Sequence, residues 1–226
     1  MAVQYNPGIV TDGLLLHIDA GNPKCYPGSG VTLSNIVSTT QATNTSGATF
    51  DSGNFRTLSY DGIDDLTNLP ISSIPSGTQV TVCVWQNISN VSSRSTFWMA
   101  AGGNRTIQAH VPWSDNNVYW DCGDSGSSFD RINKATTAAE RTGWHYWVFT
   151  KNSSTQNMFI YLDGVQWHSG SAKTFNMSVA TSGTLGGLAG NFLFSGRIGL
   201  FSMYNIELNA VQILQNFNAT RRRFDI

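Results

Sequence analysis

Three segments of the chain alternate between two faces, and this alternation constrains the fold more than any other feature of the sequence. Val80–Gln86 carries three valines on one face of an extended chain and Thr81, Cys83 and Trp85 on the other. Trp144–Thr150 alternates in the same way, with large side chains on both faces. A period of two indicates β-strands. Strands with large side chains on both faces are expected in a sandwich of two sheets when the outer face of a sheet is itself covered or forms a binding surface.

Further strand signals lie on either side of these segments. Gly13–Asp19 is an apolar run between turn signals, and Gly196–Tyr204 alternates as a late strand should. The third strongly alternating segment, Asn157–Gly164, ends on Asp-Gly, a dipeptide that favours a hairpin turn. Together these segments predict an all-β chain with short connections.

The period changes near the end of the chain. Across Ala210–Phe217 the apolar residues recur every three positions, and Asn209 is a good N-cap residue, so we predict one short C-terminal helix. No internal repeat and no linker divides the sequence. We therefore predict one domain over residues 1–226, with residues 1–12 and 219–226 as terminal arms.

The composition limits the partners that the protein can have. Charged residues make up 12% of the chain, about half of the usual share, and the net charge is −1. This balance does not favour nucleic acid, and the run Arg221–Arg223 is predicted to be a solvated tail or an assembly contact. We predict no signal peptide, no membrane insertion and three reduced cysteines, Cys25, Cys83 and Cys122.

Four pieces of sequence, taken in order, resemble the laminin G-like domains of the concanavalin A-like superfamily. They are Tyr60–Asp65, an aromatic-Asp-Gly-x-x-Asp turn; Val82–Trp85, a strand ending in Trp; Trp144–Val148 with the hairpin Tyr161–Gly164; and the terminal strand Phe194–Asn205. The resemblance covers roughly residues 10–220 of the chain. It implies a two-sheet antiparallel jelly-roll sandwich of lectin type, followed by the short C-terminal helix.

The two ends of the chain carry a narrower resemblance. Tyr5–Leu16, with Asp19–Pro23 and Tyr26–Gly28, and the ending Gln215–Phe224 are similar to laminin G-like modules in virion proteins of tailed bacteriophages, cyanophages in particular. This implies a structural or decoration protein of a capsid or tail, assembled in the host cytoplasm. Its expected partners are other virion proteins, as a homo-oligomer or attached to the particle.

The superfamily also contains glycoside hydrolases, which need two carboxylates facing each other across a cleft. The sequence has only two glutamates, Glu140 and Glu207, and they share no strand motif. A pair of aspartates such as Asp121 and Asp124 remains as the alternative. We therefore predict a binding protein and not an enzyme.

An acidic turn is the candidate metal site. Asp61, Asp64 and Asp65 could supply oxygen ligands to Ca²⁺, and the resemblance to laminin G-like domains implies calcium at a loop of this kind. In the alternative interpretation, Asp61 and Asp64 accept backbone N–H groups of their own turn.

Aromatic and polar residues alternate through the middle of the chain, in the mixture that sugar sites use. The polar loop Ser114–Asn117 lies between aromatic strands, where a rim loop would lie. In the alternative interpretation, the tryptophans of this region belong to the core or to a subunit interface. The predicted carbohydrate site consists of Trp98, His110, Trp113, Asp115, Asn117, Tyr119, Trp120 and Asp121.

Two functions therefore remain open from the sequence. The first is a virion structural or decoration protein that displays a lectin-like sandwich and binds host-surface glycans in addition. The second is a carbohydrate-binding adhesin or fibre-tip module that acts mainly by glycan recognition. An apolar patch beside the terminal helix would favour the first, and an open groove lined by Trp113, Tyr119 and Trp120 would favour the second.

Overall fold

The alternating segments form the strands of two antiparallel sheets, which pack face to face. The computed structural model describes residues 8–92, 94–188 and 190–226. Its strands are β1 (Leu14–Asp19), β2 (Thr32–Ser34), β3 (Gln41–Thr45), β4 (Thr49–Asp51), β5 (Thr57–Asp61), β6 (Leu66–Asn68), β7 (Gln79–Ile88), β8 (Phe97–Ala101), β9 (Asn104–His110), β10 (Asn117–Asp124), β11 (Phe129–Ala135), β12 (His145–Asn152), β13 (Asn157–Leu162), β14 (Val165–Gly170), β15 (Ser182–Leu185) and β16 (Ser195–Tyr204).

Each sheet contains eight strands. The first sheet has the order β14-β13-β12-β7-β16-β5-β4, with β1 beside β16, and the second has the order β11-β10-β9-β8-β15-β6-β3-β2. One α-helix, α1 (Ala210–Thr220), follows the last strand, and short 3-10 helices lie at Ile71–Ser73, Ala139–Arg141 and Arg221–Phe224. The predicted all-β sandwich with one short C-terminal helix is confirmed.

The main core lies between the two sheets. The valines of β7 face it from the first sheet, together with Trp147 and Phe149 of β12, and Phe97 and Trp120 face it from the second sheet. The ring of Phe97 contacts those of Trp120, Phe149 and Phe201 at centroid distances of 6.2, 5.7 and 5.6 Å. Aromatic side chains from both sheets therefore fill the interior.

Helix α1 covers the outer face of the first sheet. Its N-cap Asn209 accepts N–H groups of the first turn, and Gln212 accepts the Asn209 N–H in return, as the sequence predicts for a capped helix. Phe217 of the helix stacks on Trp85 of β7 at 5.8 Å. The second set of alternating residues on β7 and β12 is thus buried in a smaller core beneath the helix.

The prediction of terminal arms is wrong for the C-terminal segment and for the end of the N-terminal one. Phe224 is 3% exposed and belongs to the core under α1. The run Arg221–Arg223 was predicted to be a solvated tail or an assembly contact, but Arg223 forms an ion pair with Asp19 and donates to the Phe55 carbonyl at 2.9 Å within the same chain. Val10 is buried too, and residues 1–7 of the predicted N-terminal arm lie outside the described residues. Packing against the sheet is what orders these ends.

The outer face of the second sheet is different. No helix of the described part of the chain lies over β8, β9, β10 and β11, and the outward side chains of these strands line a cavity. One sheet is therefore covered on its outside, and the other presents its outer face to solvent.

None of the described helices is both long and apolar enough for a membrane span.

Candidate functional site

A cavity of about 250 Å³ lies on the open outer face of the second sheet. Successive residues of a strand point to opposite faces, so Trp98 of β8, His110 of β9 and Tyr119 of β10 point outward while their neighbours enter the core. Cross-strand pairing places His110 directly opposite Tyr119. The cavity is lined by Trp98, Arg105, Gln108, His110, Trp113, Tyr119, Arg131 and Phe192.

Aromatic rings surround the cavity. Trp113 contacts the ring of His110 at 4.4 Å and that of Phe192 at 5.1 Å, both edge to face. Phe192 also stacks on Trp98 at 6.2 Å. Trp113 is half-buried and Phe192 is exposed to 36%, so both rings have faces available to a ligand. The rim therefore offers broad apolar surfaces in fixed orientations.

The floor is polar and is organised by a buried carboxylate. The carboxylate of Asp121 is fully buried and accepts from Arg105 Nη1 at 3.0 Å, and from Arg131 Nε and Nη2 at 2.6 and 2.7 Å. The two arginine side chains are 32% and 37% exposed, so their guanidinium groups reach from Asp121 into the cavity. Charge-assisted bonds of this kind hold both side chains in place.

His110 is a neutral hydrogen-bonding residue in this site. Its Nδ1 donates to the Arg94 carbonyl at 2.6 Å, so its Nε2 is the acceptor that receives the amide N–H of Gln108. Burial lowers the pKa of His110 to about 4, which leaves the ring uncharged at neutral pH. The other amide atom of Gln108, Oε1, is buried without a partner among the described residues. Within the described part of the protein, the hydrogen bond of the Gln108 amide to His110 therefore leaves its carbonyl oxygen without a donor.

The state of His110 can be tested by NMR titration. We expect its ring to titrate at about pH 4, because burial disfavours the imidazolium. His145 is the internal control: burial lowers its pKa, but the hydrogen bond and charge of Asp163 outweigh that effect and raise it. Since the folded pKa of His110 lies below the unfolded value, its contribution to stability should be lost as the pH falls from about 6.5 to about 4. A higher titration midpoint for His110 than for His145 would contradict this assignment.

A second cavity of about 190 Å³ adjoins the first. Both are lined by Trp98 and Arg105, so these two side chains lie at the junction of the cavities. The remaining walls come from the turn before β9 and the turn before β11, with small and polar residues Gly103, Asn104, Gly126, Ser127 and Ser128 beside Phe129. The two cavities together form a groove across the sheet.

The eight predicted carbohydrate residues divide into three groups: five at the first cavity, two in the adjoining turn and one in the core. Trp98, His110, Trp113 and Tyr119 line the first cavity, and Asp121 lies beneath it. Asp115 and Asn117 occupy the adjoining turn, where Asp115 accepts from the Tyr119 hydroxyl at 2.6 Å and from the Asn117 N–H at 2.9 Å. They position the rim without lining the cavity.

Trp120 was predicted as part of this surface, but it lies in the core. It is 0% exposed, and its indole N–H donates to the Thr150 carbonyl of the opposite sheet at 3.0 Å. The reason is that neighbouring residues of a strand point to opposite faces, so Trp120 of β10 points inward because Tyr119 points outward. The alternative that the sequence left open, a core tryptophan, is the correct one at this position.

The sequence interpretation missed half of the lining residues. Alternation along β9 places Gln108 on the same face as His110, and the pairing of Asp121 with Arg131 places Arg131 there too. Arg105 does not follow that alternation, because the register of β8 and β9 shifts between Ile107 and Arg105. Phe192 had no such signal, because it lies in a loop far along the chain.

The acidic turn brings the three predicted calcium ligands together. Ligand oxygens of Asp61, Asp64 and Asp65 lie within 4.8 Å of one another. Asp61 also accepts the Ile63 N–H at 2.7 Å, and Asp65 accepts the Asp61 N–H at 2.8 Å, so the turn uses these carboxylates for its own backbone. Burial and the neighbouring carboxylates raise the pKa of Asp65, although its backbone hydrogen bond opposes them. Three carboxylates supply part of the six to eight oxygens that Ca²⁺ takes, and calcium binding here stays a prediction.

The carboxylates considered for hydrolase chemistry are engaged in separate places. Glu140 accepts from the indole N–H of Trp167 at 2.7 Å, and Glu207 accepts from the Asn152 amide at 3.0 Å. Asp124 accepts from the Ser178 hydroxyl at 2.9 Å, while the other member of its candidate pair, Asp121, is bound by two arginines. Each carboxylate therefore has a structural partner of its own.

Solved structures with the same fold are mainly binding domains. Domain 4 of AbnA, a GH43 extracellular arabinanase from Geobacillus stearothermophilus in complex with arabinotriose, matches with a TM-score of 0.69 and 19% identity, over 90% of this chain and 97% of that chain. The binding domain of botulinum neurotoxin DC in complex with SialylT matches with a TM-score of 0.69 and 13% identity. The binding domain of Paraclostridial Mosquitocidal Protein 1 has the same TM-score and 14% identity.

Each toxin match covers 92% of this chain and 52% of the toxin domain, so the chain spans about half the length of those domains. Identities this low demonstrate a shared fold alone. No curated protein sequence matches the chain. A laminin G-type family model, described as the concanavalin A-like lectin/glucanases superfamily, matches residues 61–214, which is more than half of the 226 residues. The chain therefore belongs to the concanavalin A-like lectin/glucanases superfamily.

Proposed function

We propose that this protein is a non-enzymatic, lectin-like module that binds carbohydrate in the cavity on the open face of the second sheet. The observation that carries the proposal is the convergence of aromatic rings, from Trp98, Trp113, Tyr119 and Phe192, over a floor of fixed hydrogen-bonding groups. Apolar and aromatic walls with a few placed polar groups are typical of small-ligand sites.

The chemistry of a sugar fits this arrangement. A pyranose ring has an apolar C–H face, which an aromatic ring can cover, and hydroxyl groups around its edge. The rings of Trp113 and Phe192 supply the apolar contact, and the amide of Gln108 and the two guanidinium groups supply hydrogen bonds below it. A hydroxyl that donated to Gln108 Oε1 would satisfy a buried acceptor whose lack of a partner costs about 1–3 kcal/mol.

The structural neighbours support binding as the activity. The arabinanase domain was solved in complex with arabinotriose and the botulinum neurotoxin DC binding domain in complex with SialylT. The separate structural partners of Glu140 and Glu207 are in keeping with a module that does no hydrolysis. Binding without catalysis is therefore the function that the site supports best.

Substitution of Trp113 tests the proposal. On a glycan array we expect Trp113→Ala to lose at least about tenfold in affinity for the glycans that the wild type binds, because truncation of an aromatic anchor costs about 2 kcal/mol or more and 1.4 kcal/mol is tenfold. Trp167→Ala is the matched control, since Trp167 is also a half-buried tryptophan but lies on β14 of the other sheet. Absence of wild-type binding to every glycan, or equal losses in both variants, would overturn the proposal.

An apolar patch favours a structural role as a second candidate. Val165, Val211 and Leu214 are exposed to 67%, 76% and 44% beside the terminal helix, where the sequence-based hypothesis expects a contact with another virion protein. The placement on a capsid or tail, and assembly in the host cytoplasm, rests on the resemblance of the chain ends to phage modules. Particle attachment, homo-oligomer formation and the virion setting stay predictions.

A further inference from the structure

Two arginines and three aromatic rings form a continuous row along the groove. The guanidinium carbon of Arg105 lies 5.3 Å from the ring centre of Trp98 and 4.3 Å from that of Phe129. The guanidinium of Arg131 lies 5.0 Å from the same Phe129 ring and 4.7 Å from Tyr119. Arginine and aromatic groups therefore alternate from one cavity to the other.

We propose that the saccharide bound in this groove carries an anionic group, a ring carboxylate or a sulfate ester, which Arg105 and Arg131 recognise. The inference rests on the proposed carbohydrate function and specifies its ligand class. Both candidate groups are oxyanions, planar in the carboxylate and tetrahedral in the sulfate ester, and both accept hydrogen bonds from several N–H donors at once.

The charges around the groove support an anionic ligand. Arg105 and Arg131 are the charged residues among those lining the two cavities, and both extend over one buried carboxylate, Asp121. Two positive charges over one negative charge leave an excess of one. His110 adds no charge. Asp115 lies outside both cavities, but its exposed carboxylate accepts the Tyr119 hydroxyl and acts on Arg131, so the positive excess lies at the Arg105 end of the row.

The arginines are also held ready for a ligand. Asp121 takes one N–H group of Arg105 and two of Arg131, out of five N–H donors in each guanidinium. Both guanidinium groups also contact the Phe129 ring, at 4.3 and 5.0 Å from its centre, which further restricts their movement. Because these side chains are ordered before binding, a ligand would gain their hydrogen bonds without the entropic cost of ordering them.

Matched pairs of glycans test the inference. Calorimetry would compare oligogalacturonate with its methyl ester, in which each carboxylate charge is replaced by a neutral ester with one added methyl group, and dextran sulfate with dextran. In at least one pair we expect the anionic glycan to bind at least about tenfold more tightly than its neutral partner. Raising the NaCl concentration should weaken binding of the anionic glycan and leave binding of the neutral one unchanged. The first pair identifies a carboxylate and the second a sulfate as the recognised group.

Variants of the two arginines then test whether these side chains cause the preference for anionic glycans. Arg105→Gln should lower the affinity for the anionic member much more than the affinity for its neutral partner, and so remove most of the anionic preference. The double variant Asp121→Asn with Arg131→Gln removes one charge of each sign, so it keeps the excess of one positive charge while losing one recognition group. Arg197→Gln is the control, because Arg197 has similar exposure but pairs with Asp51 on the first sheet.

The outcomes separate this inference from the proposed function. Neutral members bound as tightly as anionic ones, or array binding confined to neutral glycans, would overturn the anionic specificity and leave carbohydrate binding intact. An anionic preference that persists in Arg105→Gln and in the double variant would also overturn it. If no glycan of any kind is bound, the proposed function fails as well.

Discussion

Phe224→Ala is expected to lower the free energy of unfolding by about 3–5 kcal/mol, although Phe224 is the third residue from the end of the chain. Its ring stacks on Trp85 at 4.4 Å and contacts Trp144 at 4.7 Å and Phe55 at 5.8 Å. Removal of the ring would leave a cavity in the core under α1. Urea unfolding followed by tryptophan fluorescence would measure the loss.

Ile226→Ala is the control for this prediction, because Ile226 lies two residues further on and is 41% exposed. A surface substitution of that kind changes stability by within about 0.5 kcal/mol. Gly199→Ala offers an independent test, since a Cβ on Gly199 would lie 2.6 Å from the Phe224 ring and would push it off the sheet. Wild-type stability in both Phe224→Ala and Gly199→Ala would show that the segment is a loose arm after all.

Lys151→Met is expected to destabilise the protein by about 3–5 kcal/mol, because it leaves a buried carboxylate without its counter-charge. Lys151 of β12 is 0% exposed, and its Nζ lies 2.5 Å from a carboxylate oxygen of Asp130 on β11. The same oxygen accepts the Phe175 N–H at 2.8 Å. This ion pair joins the two sheets at one end of the core, and thermal unfolding would show a fall in Tm of about 10 °C.

The double variant Lys151→Met with Asp130→Leu decides whether the unpaired charge causes the loss. It should be more stable than Lys151→Met alone, since it removes both charges together. The surface pair of Arg197 and Asp51 provides the comparison, because its side chains are 35% and 28% exposed and its disruption should cost no more than about 1 kcal/mol. Additive losses in the double variant would contradict the explanation.

Alternation along the sequence predicted the strands well because a β-strand is a local structure with a period of two. The same rule separates Tyr119 from Trp120, since the inward set on β10 is apolar and the outward set includes Tyr119 and Asp121. Assigning Trp120 to the binding surface ignored that separation. The helix was equally readable, because its N-cap Asn209 and its period lie within a few residues of one another.

The site residues are harder to predict because they come together through the sheet. Asp121 was identified from its aromatic surroundings, but its two arginine partners come from the strands on either side of β10. Phe192 enters the cavity from a loop that follows β15. Alternation gives the facing of a residue within its own strand, but it does not indicate which strands are neighbours, nor does it place Arg105 after a register shift or Phe192 in its loop.

By itself, the sequence determined the strand segments and the capped terminal helix, since both depend on local periodicity and capping, and its resemblance to laminin G-like domains indicated the sandwich class. Only the tertiary structure decided that the outer face of the first sheet is buried under α1 and Phe224, while that of the second sheet stays open. The alternation of β7 and β12 is compatible with either arrangement. The choice depends on where distant segments pack, and that is a property of the folded chain.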